Sequence, residues 1–320
     1  MKKVLRNKRL FVLCVIAVLI ISSSTWQIVM TGYESKNIKP IGENVDVGTF
    51  KVHCYSKGDG QTVFVFITGS GTPSSYTDFY YLQNELSTKG QTITYDHAGS
   101  GWSEDTKSER SIENLTKELS AIIEEMAPDK SVILLCHSLG SLEAIHYAQV
   151  YSEKVKGIVF LDAGSPEFYS TYSELSAIML NRMIAVTRTL GLNRMFGECD
   201  LMLPMYGENI RNHQLPDNLK KLDKKMYYRF AGNPSTLHTI KLINENASKV
   251  LNGASLGEIP ILVLSTESGE KWNDVQQNLA AWSTNSLHVT IQGSEHYMYW
   301  SNYKKVINYI DKFIKHLDDK

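Results

Sequence analysis

Ser131-Val132-Ile133-Leu134-Leu135-Cys136-His137-Ser138-Leu139-Gly140 holds the change of period that decides the fold. Val132 to Leu135 are all apolar. With Cys136 they form a run too short for a helix and apolar on both faces. That pattern predicts a strand over 131–136 covered on both sides. From Leu139 to Tyr151 the spacing becomes helical. Ser138 sits at the junction. A serine on so tight a strand-to-helix turn lifts its Oγ clear of the sheet, and the residues two before and two after must be small to avoid clashes. Gly140 satisfies the second demand. Cys136 stands at the first, where compact size is needed and positive φ is not. His137 would point away from the exposed side of the turn, so it reads as a packing residue.

The same alternation continues outward. Residues 62–68 hold the run V-F-V-F-I, a second buried strand ended by Gly69-Ser70-Gly71. Residues 91–95 and 155–161 read as further strands, and 45–55 alternates loosely in strand fashion. Helical spacing covers 76–88 and 111–127. Strands and helices alternating at this interval imply an α/β domain with a mostly parallel sheet and helices on both faces. The pattern breaks at 165–256, which holds helical stretches at 173–190, 215–230 and 235–251 and no convincing strand. Strand character returns at 259–265 and 287–291, and an amphipathic helix covers 299–317. The chain therefore divides into an α/β core over 45–164 and 257–320, interrupted by a helical insertion over 165–256.

These segments together resemble the α/β-hydrolase fold, from about residue 45 to residue 317. Cys136-His137-Ser138-Leu139-Gly140 is similar to the family's G-x-S-x-G nucleophile elbow. Ile67-Thr68-Gly69-Ser70-Gly71 stands where the family carries its oxyanion loop, with Thr68 in place of the usual histidine. Asp96-His97-Ala98-Gly99-Ser100-Gly101-Trp102-Ser103 looks like the family's D-x-x-G-x-G-x-S loop, which is structural, so Asp96 takes no catalytic role. Gly293-Ser294-Glu295-His296 stands where the family places its catalytic histidine. The resemblance implies Ser138 as nucleophile, His296 as general base, and an oxyanion hole made by the backbone N–H groups of Ser70 and Leu139. It implies no metal and no organic cofactor.

The triad acid stays open. Its usual site follows the strand at 259–265, where Ser265-Thr266-Glu267-Ser268-Gly269-Glu270 offers Glu267. In some relatives the acid follows the preceding strand, and Asp162 ends Val155-Lys156-Gly157-Ile158-Val159-Phe160-Leu161 in that way. Asp162 is preferred to Glu267, and Asp274 comes third. The implied activity is hydrolysis of a small or medium apolar acyl substrate, first of all a carboxylic ester. Thioester, amide or peptide, and carbon–carbon hydrolysis use the same triad. A serine at the elbow disfavours haloalkane dehalogenase and epoxide hydrolase chemistry, which proceeds through a carboxylate ester of the enzyme. The departures at Cys136 and Thr68 keep a second class open, a catalytically silent binding protein. The insertion is expected to cap the site. Met179, Met183, Met195, Met202, Met205, Phe196, Tyr206, Tyr227 and Tyr228 are its candidate pocket lining, with plain cap packing the competing reading for each.

The N-terminus has a separate logic. Residues 1–9 carry Lys2, Lys3, Arg6, Lys8 and Arg9, and no charged residue occurs from Leu10 to Met30. Such a length matches the ~20 residues of a membrane-spanning helix. The basic segment is expected to stay in the cytoplasm, placing the rest outside. Residues 10–30 thus read as an uncleaved signal anchor, or as a signal peptide cut in the serines at 22–24, which would leave a secreted protein. Residues 31–44 read as a linker. The formal net charge is −1, and about −6 once the five leading basic residues are set aside, which gives no reason to expect a nucleic-acid partner. At 42% hydrophobic and 21% charged, the composition is that of a globular protein and excludes wholesale disorder. Cys14, Cys54, Cys136 and Cys199 show no metal-binding or pairing pattern and are read as unpaired. Oligomeric state has no signature in the sequence.

Overall fold

A computed structural model of the protein describes residues 2–199 and 214–318. At its centre lies an eight-stranded sheet in the order β1-β2-β4-β3-β5-β6-β7-β8. The strands are β1 (Glu43–Asp46), β2 (Lys51–Lys57), β3 (Val63–Ile67), β4 (Gln91–Tyr95), β5 (Val132–His137), β6 (Val155–Leu161), β7 (Ile261–Ser265) and β8 (Ser286–Thr290). β1 pairs antiparallel with β2, and β2 with β4; every later pairing is parallel. Each residue of β3, β5 and β7 is buried. Because side chains alternate across a strand, the central strands feed two cores. Val63, Val65, Ile67, Leu134 and Ile158 face one, and Phe64, Phe66, Ile133, Leu135 and Val159 face the other. Two-sided burial explains why these strands read as continuous apolar runs.

The structure refines several expected elements. The single strand expected over 45–55 is a hairpin of β1 and β2, turned where the Gly48 N–H donates to Asp46 Oδ1 at 2.8 Å. The helix expected over 235–251 is two, Pro234–Ile240 and Ile243–Leu251. A further helix, Glu270–Ala280, joins β7 to β8; its mostly polar sequence hid it. Among the described residues the insertion between β6 and β7 is helical, and its last helix packs into the main core through Ile243, Ala247 and Val250. All four cysteines are free.

The N-terminal helix runs from Lys2 to Asn37, so the segment read as a linker begins as its last turns. From Asn7 to Asn37 it is long and apolar enough to be a membrane anchor or a signal sequence. Residues 7–19 of the helix are exposed. In its second half Ser23, Gln27 and Glu34 are buried on one face. Ser23 Oγ donates to Leu190 O at 2.6 Å, and Gln27 Nε2 to Tyr228 O at 2.6 Å. Arg194 donates through Nε to Gln27 Oε1 at 2.8 Å and grips both Glu34 oxygens at 2.7 and 2.8 Å. Bidentate pairing with further hydrogen bonds is what makes a buried ion pair tolerable.

The loop after β4 hangs on buried Asp96. It accepts from Ser75 N at 2.7 Å, Ser75 Oγ at 2.9 Å and Trp102 N at 3.1 Å, and pairs with His53 Nδ1 at 2.9 Å. Gly101 is obligatory beside it, at φ 53° with room for no Cβ against the Asp96 carboxylate. Burial disfavours both charges. The His53 contact nevertheless holds Asp96 below the ordinary carboxylate range, and Asp96 lifts His53 above 6.5. A raised histidine contributes stability that is complete below its unfolded pKa and is lost as pH rises through the folded one. Asp96 contributes above its unfolded pKa and loses that only in acid. The urea midpoint of the wild type should therefore exceed that of His53→Gln most at pH 5–6, with the gap closing toward pH 9. A gap that widens with pH would contradict the pairing.

Candidate active site

Ser138 stands between β5 and the helix Gly140–Val150 at φ 50°, a left-handed conformation unusual for a residue with a side chain. The turn is closed on both sides. A Cβ on Gly140 would lie 2.9 Å from Thr68 O, and one on Gly69 would lie 2.9 Å from His137 Nδ1 and 3.0 Å from Ser138 Cβ. Both glycines are therefore fixed by close approach of the Thr68–Gly71 loop to the serine turn. Cys136 is wholly buried, and its thiol is pushed well up by burial. It fills the first small position and supplies no thiolate.

His296 follows β8 and lines the same cleft as Ser138. Its Nδ1 lies 2.7 Å from Asp162 Oδ2. Asp162 is buried at the end of β6, itself at φ 46°. Its other oxygen accepts from Thr266 N at 2.9 Å, Thr266 Oγ1 at 3.0 Å and Trp272 Nε1 at 2.8 Å. So many donors fix the carboxylate's plane and leave it one direction for the imidazole. Glu267 is exposed, and its Oε2 accepts the Gly293 N–H at 3.3 Å. Asp274 is exposed on the helix Glu270–Ala280. Of the three carboxylates weighed in the sequence, Asp162 alone bonds His296.

His137 is buried, and its Nε2 lies 3.2 Å from His296 O. Its ring centroid is 4.5 Å from that of His296, so it packs the histidine loop from below. Ser70 and Leu139 both line the cleft. Among the described residues, neither backbone N–H meets a protein acceptor. Behind this loop Thr68 Oγ1 lies 2.9 Å from His97 Nδ1. His97 Nε2 lies 2.9 Å from Glu143 Oε2, and Glu143 Oε1 accepts from Tyr95 OH at 2.5 Å. Thr68 is thereby tied into a polar chain that ends at Tyr95.

Thr266, Trp272 and Tyr169 are site residues that the sequence reading did not find. Tyr169 is buried in the short helix Pro166–Ser170, capped by Ser165. Its hydroxyl lies close to Gly164, and burial pushes its phenol up against the opposing influence of Ser138 and the Gly164 backbone, so it remains neutral. The sequence signal for this helix was the Ser165-Pro166 start. The cleft measures about 340 Å³ and is roofed by Phe168, Tyr172, Leu180, Ile184 and Tyr227. That volume suits a small or medium ligand. Of the expected lining, Tyr227 alone is present among the described residues. Met179 and Met183 point outward instead, since the helix Glu174–Thr189 turns Ala177, Leu180, Asn181 and Ile184 toward the cleft. Met195, Phe196 and Tyr228 pack elsewhere in the cap helices, and Met202, Met205 and Tyr206 lie outside the described residues.

A sequence model of the family described as alpha/beta hydrolase fold matches residues 62–303. The Bacillus subtilis (strain 168) protein YbdG, itself uncharacterized, is 28% identical over 240 residues, 74% of this chain and 72% of its own. A proline iminopeptidase of Saccharolobus solfataricus is 23% identical over 263 residues, 78% of this chain and 84% of its own. Among solved structures, a thermophilic esterase from Thermogutta terrifontis matches with a TM-score of 0.65 at 18% identity, over 86% of this chain and 99% of that one. An epoxide hydrolase from Bacillus megaterium matches with a TM-score of 0.67 at 17% identity, over 85% and 100%. At such identities the structural likeness concerns the fold alone.

Proposed function

The chain belongs to the α/β-hydrolase fold family, and on that premise we propose that it is a serine hydrolase of carboxylic esters with a small or medium apolar acyl group. The observation that carries this reading is the 2.7 Å contact of His296 Nδ1 with buried Asp162, in the cleft that also holds Ser138. With Nδ1–H donating to Asp162, the His296 Nε2 lone pair is the base. It takes the Ser138 proton as Oγ attacks the ester carbonyl. The N–H groups of Ser70 and Leu139 hold the tetrahedral oxyanion, an interaction worth ~3–4 kcal/mol per donor. His296 returns the proton to the leaving alkoxide, and the alcohol departs. A water that gives its proton to His296 then splits the acyl-enzyme, so ester and water become acid and alcohol. The apolar roof of the cleft favours an apolar acyl group.

The proposed setting is a membrane, with the N-terminal helix as an uncleaved anchor and the catalytic domain outside. The intact protein should form a covalent fluorophosphonate adduct at Ser138, located by mass spectrometry and absent from Ser138→Ala. Folded protein that yields no adduct would place the chain with catalytically silent binding proteins.

A further inference from the structure

The cap helix Glu174–Thr189 has a single buried residue, Asn181, among sixteen. One face lines the cleft through Ala177, Leu180 and Ile184. On another, Leu175, Met179, Met183 and Val186 are 68%, 64%, 54% and 56% exposed. These four follow one another at helical spacing and form a continuous apolar stripe. A helix apolar on both sides needs a second apolar environment, and large exposed apolar patches mark interaction surfaces.

The N-terminal helix indicates which environment that is. Leu10–Ile21 is its free apolar part and covers about 18 Å at 1.5 Å per residue, whereas a hydrocarbon core is about 30 Å thick. From Ser23 onward the helix is locked to the cap by Leu190, Tyr228 and Arg194. Spanning therefore requires the docked turns to lie at bilayer depth as well. Their outer side suits that depth, with Ile28 71% and Val29 60% exposed and Trp26 half exposed. The cap descends with them. Ser23 bonds Leu190, one turn beyond Val186, so the stripe begins where the anchor leaves the cap.

We propose that the stripe Leu175–Met179–Met183–Val186 lies in the outer boundary of the lipid bilayer, and that the cleft behind it takes a medium-chain acyl ester directly from the membrane. The second half of this proposal rests on the serine-hydrolase reading; the first does not.

Two measurements test the halves separately. An environment-sensitive fluorophore is attached at Met183→Cys in full-length protein carrying Cys14→Ser and Cys199→Ser, reconstituted in phosphatidylcholine–phosphatidylglycerol vesicles. A matched label at Glu153→Cys, at the N-terminal end of β6, serves as control. Lipids with a shallow nitroxide should quench the Met183 label about threefold more than the control, consistent with an interfacial helix. Equal quenching overturns the seating, including the case where the stripe is covered by a second copy or by residues 200–213. Quenching should persist in Ser138→Ala, whatever the outcome for catalysis. Met183→Asp should lower kcat/KM on a monoacylglycerol in vesicles by about tenfold or more, since a carboxylate resists that depth. Its rate on a soluble short-chain ester should stay within about twofold, because Met183 does not line the cleft. Equal losses on both substrates, or no loss on either, overturn uptake from the membrane. If the wild type turns over no ester at all, the hydrolase reading falls and with it the uptake, while the quenching result still decides the seating.

Discussion

Ser138→Ala is expected to lower ester hydrolysis by about 10⁵–10⁶-fold, leaving only what the oxyanion donors and the cleft supply. No neighbour can stand in for the lost oxygen. Cys136 is buried and its thiol is held protonated, and the Tyr169 hydroxyl is a buried neutral phenol. The variant should fold, because alanine and serine are strained alike at the left-handed backbone of this turn. The check is kcat/KM on the best ester of a graded chain-length series, with a thermal melt to establish folding. A folded alanine variant retaining more than about one per cent of the wild-type rate would remove Ser138 from the reaction.

Asp162→Asn is expected to cost about 10⁴-fold in kcat at neutral pH. Asp162 Oδ2 is the only acceptor that His296 Nδ1 has among the described residues. An asparagine turned to satisfy Thr266 and Trp272 with its carbonyl presents an amide N–H to the ring, which favours the tautomer that carries its proton on Nε2. The base is then blocked without any loss of packing. Glu267→Gln should change the rate less than about threefold, because Glu267 is exposed and its carboxylate accepts the Gly293 N–H, not a proton of His296. Loss of activity in Glu267→Gln together with its retention in Asp162→Asn would reverse the assignment.

Why the acid was hard to choose in sequence follows from the sheet. β6 and β7 are parallel neighbours, and the Asp162 N–H donates to Leu264 O at 2.8 Å. A carboxylate after either strand therefore emerges at the same edge, and no pattern along the chain ranks the two. The Ser138 turn was legible because it follows a strand whose apolar run ends abruptly, and His296 was picked out by its place between the last strand and the last helix. Tyr169, Thr266 and Trp272 were not, since a short capped turn and a mostly polar helix carry little periodicity. The methionines misled for a related reason. Helical spacing identified the 173–190 helix but does not say which of two apolar faces looks inward. The polar residues Ser23, Gln27 and Glu34 had a helical interval of their own, yet their partners lie more than one hundred and fifty residues away in the chain.

That docking has a mechanical meaning. The N-terminal helix makes its polar contacts with the cap helices and joins the sheet only through the short stretch between Asn37 and Glu43. With the helix held in a bilayer, the cap is the stationary part of the molecule and the catalytic body is suspended from it. Separation of the two would swing the sheet, with Ser138 on its edge, away from a fixed ceiling. The moving mass and the lid would then have exchanged roles, and the chain crossings at 162–165 and 252–260, together with residues 38–42, would govern how freely the body hangs.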